Sequence, residues 1–317
     1  MGSDDKTAFA ATLRRSGPIV LDGGLATQLE AQGCDIGNSL WSASILATNP
    51  QAIVAASRAY LDAGAECIAT ASYQASRRGF ARLGLSATEA DGLMLLSVEL
   101  AQQARDDYLA DNPNREHVPL IAASIGPYGA ALHDGSEYTG SYDVGADALR
   151  AFHADRLKLF DESAADVLAL ETIPSLNESE VLAELLRACK TPAWVSFSCR
   201  DNRHISDGTS VEDAASLFRD HPTVQAVGIN CTPPQYVVSL IGKIRNALPD
   251  KAILAYPNSG ETYHAAENCW SGTVSPLDCA TAAQEWISAG AKFVGGCCRM
   301  GPEHISAMAE RIDENKR

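Results

Sequence analysis

LIAASIGPY, residues 120–128, carries the pattern that decides the fold: six consecutive apolar or small residues, Leu120–Ile125, run straight into Gly126-Pro127-Tyr128. A strand with one wet face alternates apolar and polar residues, whereas continuous apolarity marks a strand buried on both faces. Outward from this run the pattern recurs at Ile19–Leu21 and Cys67–Ala71 on one side. On the other it recurs at Val167–Leu170, Ala193–Ser198, Ala226–Ile229, Ala252–Tyr256 and Phe293–Val294. Between the runs lie amphipathic, Ala/Leu-rich stretches: Pro50–Ala63, Glu89–Leu109, Ala146–Ser163, Glu178–Cys189 and Val237–Leu248. These read as helices, the second capped by Thr88 or Ser86 and the fourth by Asn177. Alternation of eight strands with helices over about 300 residues predicts an α/β fold, a (β/α)8 TIM barrel. An open doubly wound sheet is the runner-up, and no GxGxxG or GxxxxGKS follows the first run to support its nucleotide-binding form.

No Pro/Ser/Gly linker or charge run divides the chain, so residues 1–317 are expected to form one domain, with residues 1–10 disordered or an expression remnant. The segment Tyr128–Asp143, rich in Gly, Tyr and Asp, reads as a long loop after the third strand, on the face where this fold keeps its active site.

Composition narrows the function. Hydrophobic residues make up 46% and charged residues 21%, ordinary for a globular chain. Lys+Arg number 25 against 40 Asp+Glu, a formal charge of −15, which argues against nucleic acid or an anionic membrane as partner. No apolar run reaches bilayer length and the first residues lack a signal-peptide core. Nine cysteines, an odd number without framework spacing, argue against a disulfide scaffold and for a reducing, cytoplasmic setting.

Residues just past each strand are the candidates for chemistry. They include Asp22-Gly23-Gly24, Ser72-Tyr73-Gln74, Gly126-Pro127-Tyr128, Glu171-Thr172, Asn230-Cys231, Pro257-Asn258 and Gly295-Gly296-Cys297-Cys298. Strands six and eight thus deliver Cys231, Cys297 and Cys298 to one rim. Neighbours in a regular strand point to opposite faces, so both Cys297 and Cys298 reach one metal only if regularity breaks, which Gly295 and Gly296 would permit. Spacing and position leave a zinc site and incidental thiols both open, since this is not the paired CxxC of a zinc ribbon. No histidine fits a general base: His133 and His264 fall in loops near the rim, and the other five, His153, His221 and His304 among them, look like surface or helix positions.

Taken together the motifs are recognisable. LDGGLATQLE (Leu21–Glu30), LWSA (Leu40–Ala43), ASYQA (Ala71–Ala75), SIGPYGA (Ser124–Ala130), DGSEY (Asp134–Tyr138), ETIPS (Glu171–Ser175), GINC (Gly228–Cys231), YPNSGE (Tyr256–Glu261) and GGCCRMGPEHI (Gly295–Ile305) follow in order along almost the whole chain. The chain closely resembles the homocysteine S-methyltransferase family, in its bacterial form that uses S-methylmethionine or S-adenosylmethionine. The resemblance implies one Zn²⁺ per chain, held by Cys231, Cys297 and Cys298 at the C-terminal face of the barrel. It implies that the L-homocysteine thiol is the fourth ligand and that a methyl sulfonium supplies the methyl group to give methionine. Only nineteen residues follow Cys298, which speaks against the longer betaine-dependent relatives.

The implied chemistry is coherent. Homocysteine's thiol is mostly protonated at pH 7 and its thiolate is the nucleophile. Three thiolates give the zinc site a formal charge of −1, and a fourth makes it −2, which keeps the bound sulfur electron-rich. Asp22 and Glu171 suit the substrate ammonium, and the family's amino-acid contacts map there. Gly23, Asn230 and Asn258 complete the expected substrate-binding set. Trp41, Tyr73 and Tyr128 are the candidate faces for the sulfonium. The competing readings are a betaine-dependent enzyme, a zinc hydrolase on the same barrel, and a non-catalytic zinc- or thiol-binding barrel. The oligomeric state is left open.

Overall fold

The structure, a computed structural model, describes residues 8–36, 42–260, 262–264, 269–271 and 275–315. Its strands in chain order are β1 (Ile19–Val20), β2 (Cys67–Ala69), β3 (Leu120–Ile125), β4 (Val167–Ile173), β5 (Ala193–Phe197), β6 (Val224–Asn230), β7 (Ala252–Tyr256), β8 (Thr262–His264), β9 (Cys269–Ser271) and β10 (Phe293–Val294). Eight of them pair in the order β1-β10-β7-β6-β5-β4-β3-β2, all parallel, and β8 and β9 form a separate antiparallel hairpin. The bridge Leu21↔Cys67 closes the ring, with the Glu66 amide donating to the Val20 carbonyl at 2.7 Å and the Asp22 amide to the Cys67 carbonyl at 3.0 Å. This is the (β/α)8 barrel that the alternation predicts.

The continuous apolarity of β3 has the expected cause: all six residues are buried. Leu120 and Ala122 point into the barrel, where they meet Val167, Ala169 and Leu254, while Ile121, Ala123 and Ile125 join the layer under the helices. Between β6 and β7 the strands approach closely at Gly228, where a Cβ would lie 2.0 Å from the Leu254 carbonyl oxygen.

The helices are α1 (Ala8–Arg14), α2 (Leu25–Ala31), α3 (Ser42–Thr48), α4 (Pro50–Asp62), α5 (Arg77–Ala81), α6 (Ala87–Asp111), α7 (Tyr128–Leu132), α8 (Ala146–Asp161), α9 (Leu176–Leu185), α10 (Val211–Ser216), α11 (Val237–Ala247), α12 (Pro276–Ala289) and α13 (Pro302–Glu314). None is long and apolar enough to cross a membrane. Residues 8–10 are not disordered as expected. They open α1, and the fully buried Phe9 stacks on Phe293 at 5.7 Å and meets Trp194 at 6.1 Å, plugging the barrel at the strands' N-terminal ends.

Ser86 caps α6 in a reciprocal capping box with Glu89. Ser175, not Asn177, caps α9, accepting from the Glu178 amide at 3.3 Å. The segment Tyr128–Asp143 is not simply a loop. It holds α7 and a 3-10 turn at Ser136–Tyr138, because the buried Glu178 carboxylate accepts the Tyr128 amide at 2.6 Å and anchors the start of α7. The same carboxylate lies 2.7 Å from His153 Nε2, so His153, on α8, is a fully buried hydrogen-bond partner whose pKa burial lowers, not a surface position; His221 and His304 are buried too. Arg156 completes this core behind the barrel rim, donating to the Gly126 carbonyl at 3.0 Å and the Tyr73 carbonyl at 3.1 Å.

Candidate metal centre and substrate cleft

The sulfur cluster forms where chain regularity ends. β10 stops at Val294, so Cys297 and Cys298 belong to irregular backbone and both turn toward Cys231. Regularity does break here, yet neither Gly295 nor Gly296 takes a left-handed conformation. They make room instead, since a Cβ would lie 2.7 Å from Leu21 Cβ at Gly295 and 2.6 Å from Met300 Cβ at Gly296. Gly23 does the same from β1, where a Cβ would meet the Met300 carbonyl oxygen at 2.2 Å. Three of the four non-glycine residues with left-handed backbone among those described, Thr172, Cys231 and Arg299, surround this cluster. Such strain concentrates where geometry is held for function.

The three Sγ atoms lie within 4.8 Å of one another, and no other group of three potential ligand residues converges this way among the described residues. Cys231 Sγ is 3.6 Å from Cys298 Sγ, close to the roughly 3.8 Å edge of a tetrahedron with 2.3 Å metal–sulfur bonds. Cys231 and Cys297 are joined as a disulfide, so all three donate to a metal only once that bond is reduced. This one pair at the rim departs from the expectation of thiols alone, yet it is no framework: Cys34, Cys67, Cys199, Cys279 and Cys298 carry thiols. The donor set of three soft sulfurs fits a zinc-type metal. Burial pushes the Cys298 thiol up to about 11, a cost that a bound cation offsets.

Asn230, at the end of β6, ties the sulfurs to β4, two strands away. Its Oδ1 accepts the Thr172 amide at 2.7 Å, and its Nδ2 donates to Thr172 Oγ1 at 2.8 Å and toward Cys297 Sγ at 3.9 Å. The β4–β5 register slips between Leu170 and Ile173, so Glu171 sits on an irregularity within β4 and not beyond its end. Such a break re-aims side chains. The Glu171 carboxylate accepts from Tyr256 Oη at 3.2 Å and is in very short contact with Ser124 Oγ. Asp22 Oδ2 accepts the Ala69 amide at 2.7 Å. Burial, with the charge of Glu171 adding to it, pushes Asp22 up to about 8, and burial raises Glu171 as well. Two carboxylates that resist ionisation across one cleft call for a cation between them.

Tyr73 is at the site: its hydroxyl is beside Thr172, and it feels the charges of Glu137, Glu171 and Cys298. Tyr128 is engaged elsewhere, its ring edge-on to Tyr142 at 5.5 Å and Phe152 at 5.1 Å and its hydroxyl bonded by Arg78. The Asn258 side chain accepts the Gly260 amide at 3.0 Å, and the next residue, Ser259, donates its amide to the Cys298 carbonyl at 3.1 Å. Trp41 lies outside the described residues. Thr172, which orients Asn230, was among the strand-end candidates, but Tyr256 and Ser124, which orient Glu171, were passed over, as were Glu137 and Tyr138. The only signal for these was their place in the motifs at strand ends.

Barrel, converging thiols and carboxylate-lined cleft define a (β/α)8 protein with a thiolate site competent for a metal. Comparison with known proteins makes that class specific. The family model described as homocysteine S-methyltransferase matches residues 19–312, and the chain belongs to this family. It is 47% identical to a homocysteine S-methyltransferase, YbgG, of Bacillus subtilis over 92% of this chain and 93% of the relative. It is 43% identical to the homocysteine S-methyltransferase of Escherichia coli, over 95% and 97% of the two chains. Solved structures of the E. coli homocysteine methyltransferase MmuM in metallated and oxidized forms each superpose with a TM-score of 0.86 at 41% identity, covering 96% of this chain and 99% of that one.

Proposed function

We propose that this barrel, acting as one homocysteine-binding domain, transfers a methyl group from a sulfonium donor to the sulfur of L-homocysteine, with zinc held by Cys231, Cys297 and Cys298. The convergence of three thiols at the rim carries this reading, and family membership supports it. Zinc bound there supplies the Lewis acidity that keeps a substrate thiol deprotonated at neutral pH. The chain's own residues do the rest. Asp22 and Glu171 hold the homocysteine ammonium, the Ala69 amide and the Ser124 and Tyr256 hydroxyls fixing their directions. Asn230 steadies the sulfur cluster through Cys297. Tyr73 offers a face or hydroxyl to the donor.

The transfer balances simply. The homocysteine thiol loses its proton to solvent and a sulfur–carbon bond forms to the methyl. The donor's sulfur–methyl bond breaks, and its electron pair stays on the departing sulfur. With S-methylmethionine both products are methionine. Positioning then governs the rate, because attack requires incoming sulfur, methyl carbon and leaving sulfur in line.

S-Methylmethionine ranks above S-adenosylmethionine as donor, on family resemblance and on the missing nucleotide-binding glycine pattern. Betaine would leave as a poorer amine and needs a carboxylate clamp of its own. The thiols of Cys34, Cys67, Cys199 and Cys279 accord with a cytoplasmic setting. The test is direct: reduced, zinc-loaded protein is given homocysteine with each donor in turn. Methionine should form with either sulfonium without corrinoid or folate. Turnover with betaine and none with S-methylmethionine would refute this reading.

A further inference from the structure

Glu137 is a buried carboxylate with no assigned task. It sits in the 3-10 turn Ser136–Tyr138 after α7 and is 3% exposed, and its Oε2 has no hydrogen-bond partner. Among the described residues no Arg or Lys side chain pairs with it. Its backbone is held in place: the carbonyl accepts from Ser198 Oγ at 3.3 Å, and a Cβ on Gly129 would lie 2.5 Å from its amide nitrogen. The same Ser198 Oγ lies 3.5 Å from the Thr172 carbonyl, and Thr172 is joined through Asn230 to Cys297 Sγ, which sets this turn beside the sulfur cluster; the charge of Glu137 reaches Tyr73 and Cys298. Glu137 therefore faces the sulfur end of the cleft.

A buried carboxylate with an oxygen left without a partner is costly unless a cation arrives. Homocysteine's ammonium has Asp22 and Glu171. The donor brings two cations, its own ammonium and the sulfonium, and only the sulfonium must lie beside the attacking sulfur, because its methyl carbon has to come within about 3–3.5 Å of that sulfur. A carboxylate that faces the sulfur cluster faces that sulfonium. We propose that Glu137, flanked by Tyr73 and Tyr138, is the counter-ion that recognises the positive sulfur of the methyl donor. The assignment rests on the sulfonium-dependent reading above. Burial pushes the Glu137 carboxyl up to about 7, and a bound cation restores its charge. Because the positive charge fades as the methyl leaves, Glu137 stabilises the bound donor more than the transition state. Its loss should therefore raise the donor KM without lowering kcat.

The test compares reduced, zinc-loaded parent protein with Glu137→Gln, a change that keeps size and removes charge. For S-methylmethionine the variant's KM should rise roughly tenfold or more, while KM for homocysteine moves less than about twofold. Zinc content should stay the same. The neutral carbon isostere of the donor, 2-amino-5-methylhexanoic acid, should inhibit both proteins with Ki values within about twofold, since it lacks the charge that Glu137 reads. An unchanged donor KM, an equal rise in the homocysteine KM, or an equal loss of isostere affinity would overturn the assignment. A second arm needs only the parent protein, in which the isostere should bind at least about tenfold more weakly than S-methylmethionine; equal affinity also overturns it. Failure of the parent to use any sulfonium would instead refute the underlying reading, so the two failures are distinct.

Discussion

Cys298→Ser protein should purify folded, lack zinc, and form methionine more than about a hundredfold more slowly than the parent. Loss of an outer-shell partner of a metal ligand already costs about 10–100-fold, and this change removes a ligand. A serine hydroxyl matches the thiol in size but is not a zinc donor at neutral pH, and Cys298 is only partly buried, so thermal stability of the metal-free forms should differ little. Cys297→Ser should behave alike. Cys189→Ser is the control, because that sulfur packs 4.0 Å from the Leu185 carbonyl on the outer helix layer; it should keep metal and turnover. Metal analysis and a methionine assay on the four proteins decide the matter. Full zinc in a Cys297→Ser, Cys298→Ser double variant would defeat the ligand assignment.

Glu171→Gln should raise the homocysteine KM roughly 10–100-fold, the scale expected for one charge-assisted contact to the substrate ammonium. A second consequence follows from the paired carboxylates. Asp22 is held up to about 8 by burial and by the charge of Glu171, so in the parent it binds an ammonium fully only above that pH. The sign for stability is the reverse. The folded protein keeps the Asp22 proton where the unfolded chain has lost it, so this group's contribution falls as pH rises from about 4 to about 8. Removing the Glu171 charge lowers the Asp22 pKa. The acidic limb of kcat/KM for homocysteine should therefore lie at lower pH in Glu171→Gln. A limb that stays in place, with KM unchanged, would remove both residues from the ammonium site.

The barrel was legible because its strands are buried on two faces: Leu120–Ile125, Ala252–Tyr256 and Phe293–Val294 read correctly to the residue. The placement of Asp22 and the three cysteines was legible for a related reason, since polar residues past apolar strand ends mark the open face, whereas Glu171 sits within β4. What was hidden depends on partners distant in sequence. Glu178 reads as an ordinary acid in the first turn of a helix, but it turns inward because His153 on α8 and the Tyr128 amide await it. That contact also makes α7 a helix within a polar stretch. Thr172 owes its left-handed backbone to Asn230, 58 residues on, and no local pattern announces such a pair. Glu137 lies in a Gly/Asp/Tyr-rich segment that looks solvated, and only the folded loop shows its carboxylate buried.

The central claim is that Cys231, Cys297 and Cys298 hold zinc and leave one position for the substrate sulfur. Zinc K-edge X-ray absorption on the reduced, zinc-loaded protein tests it directly, before and after homocysteine is added. The account predicts three sulfur scatterers at about 2.3 Å in the free protein and four at the same distance with homocysteine bound. A sulfur count that does not increase, or a first shell dominated by nitrogen and oxygen, would contradict it.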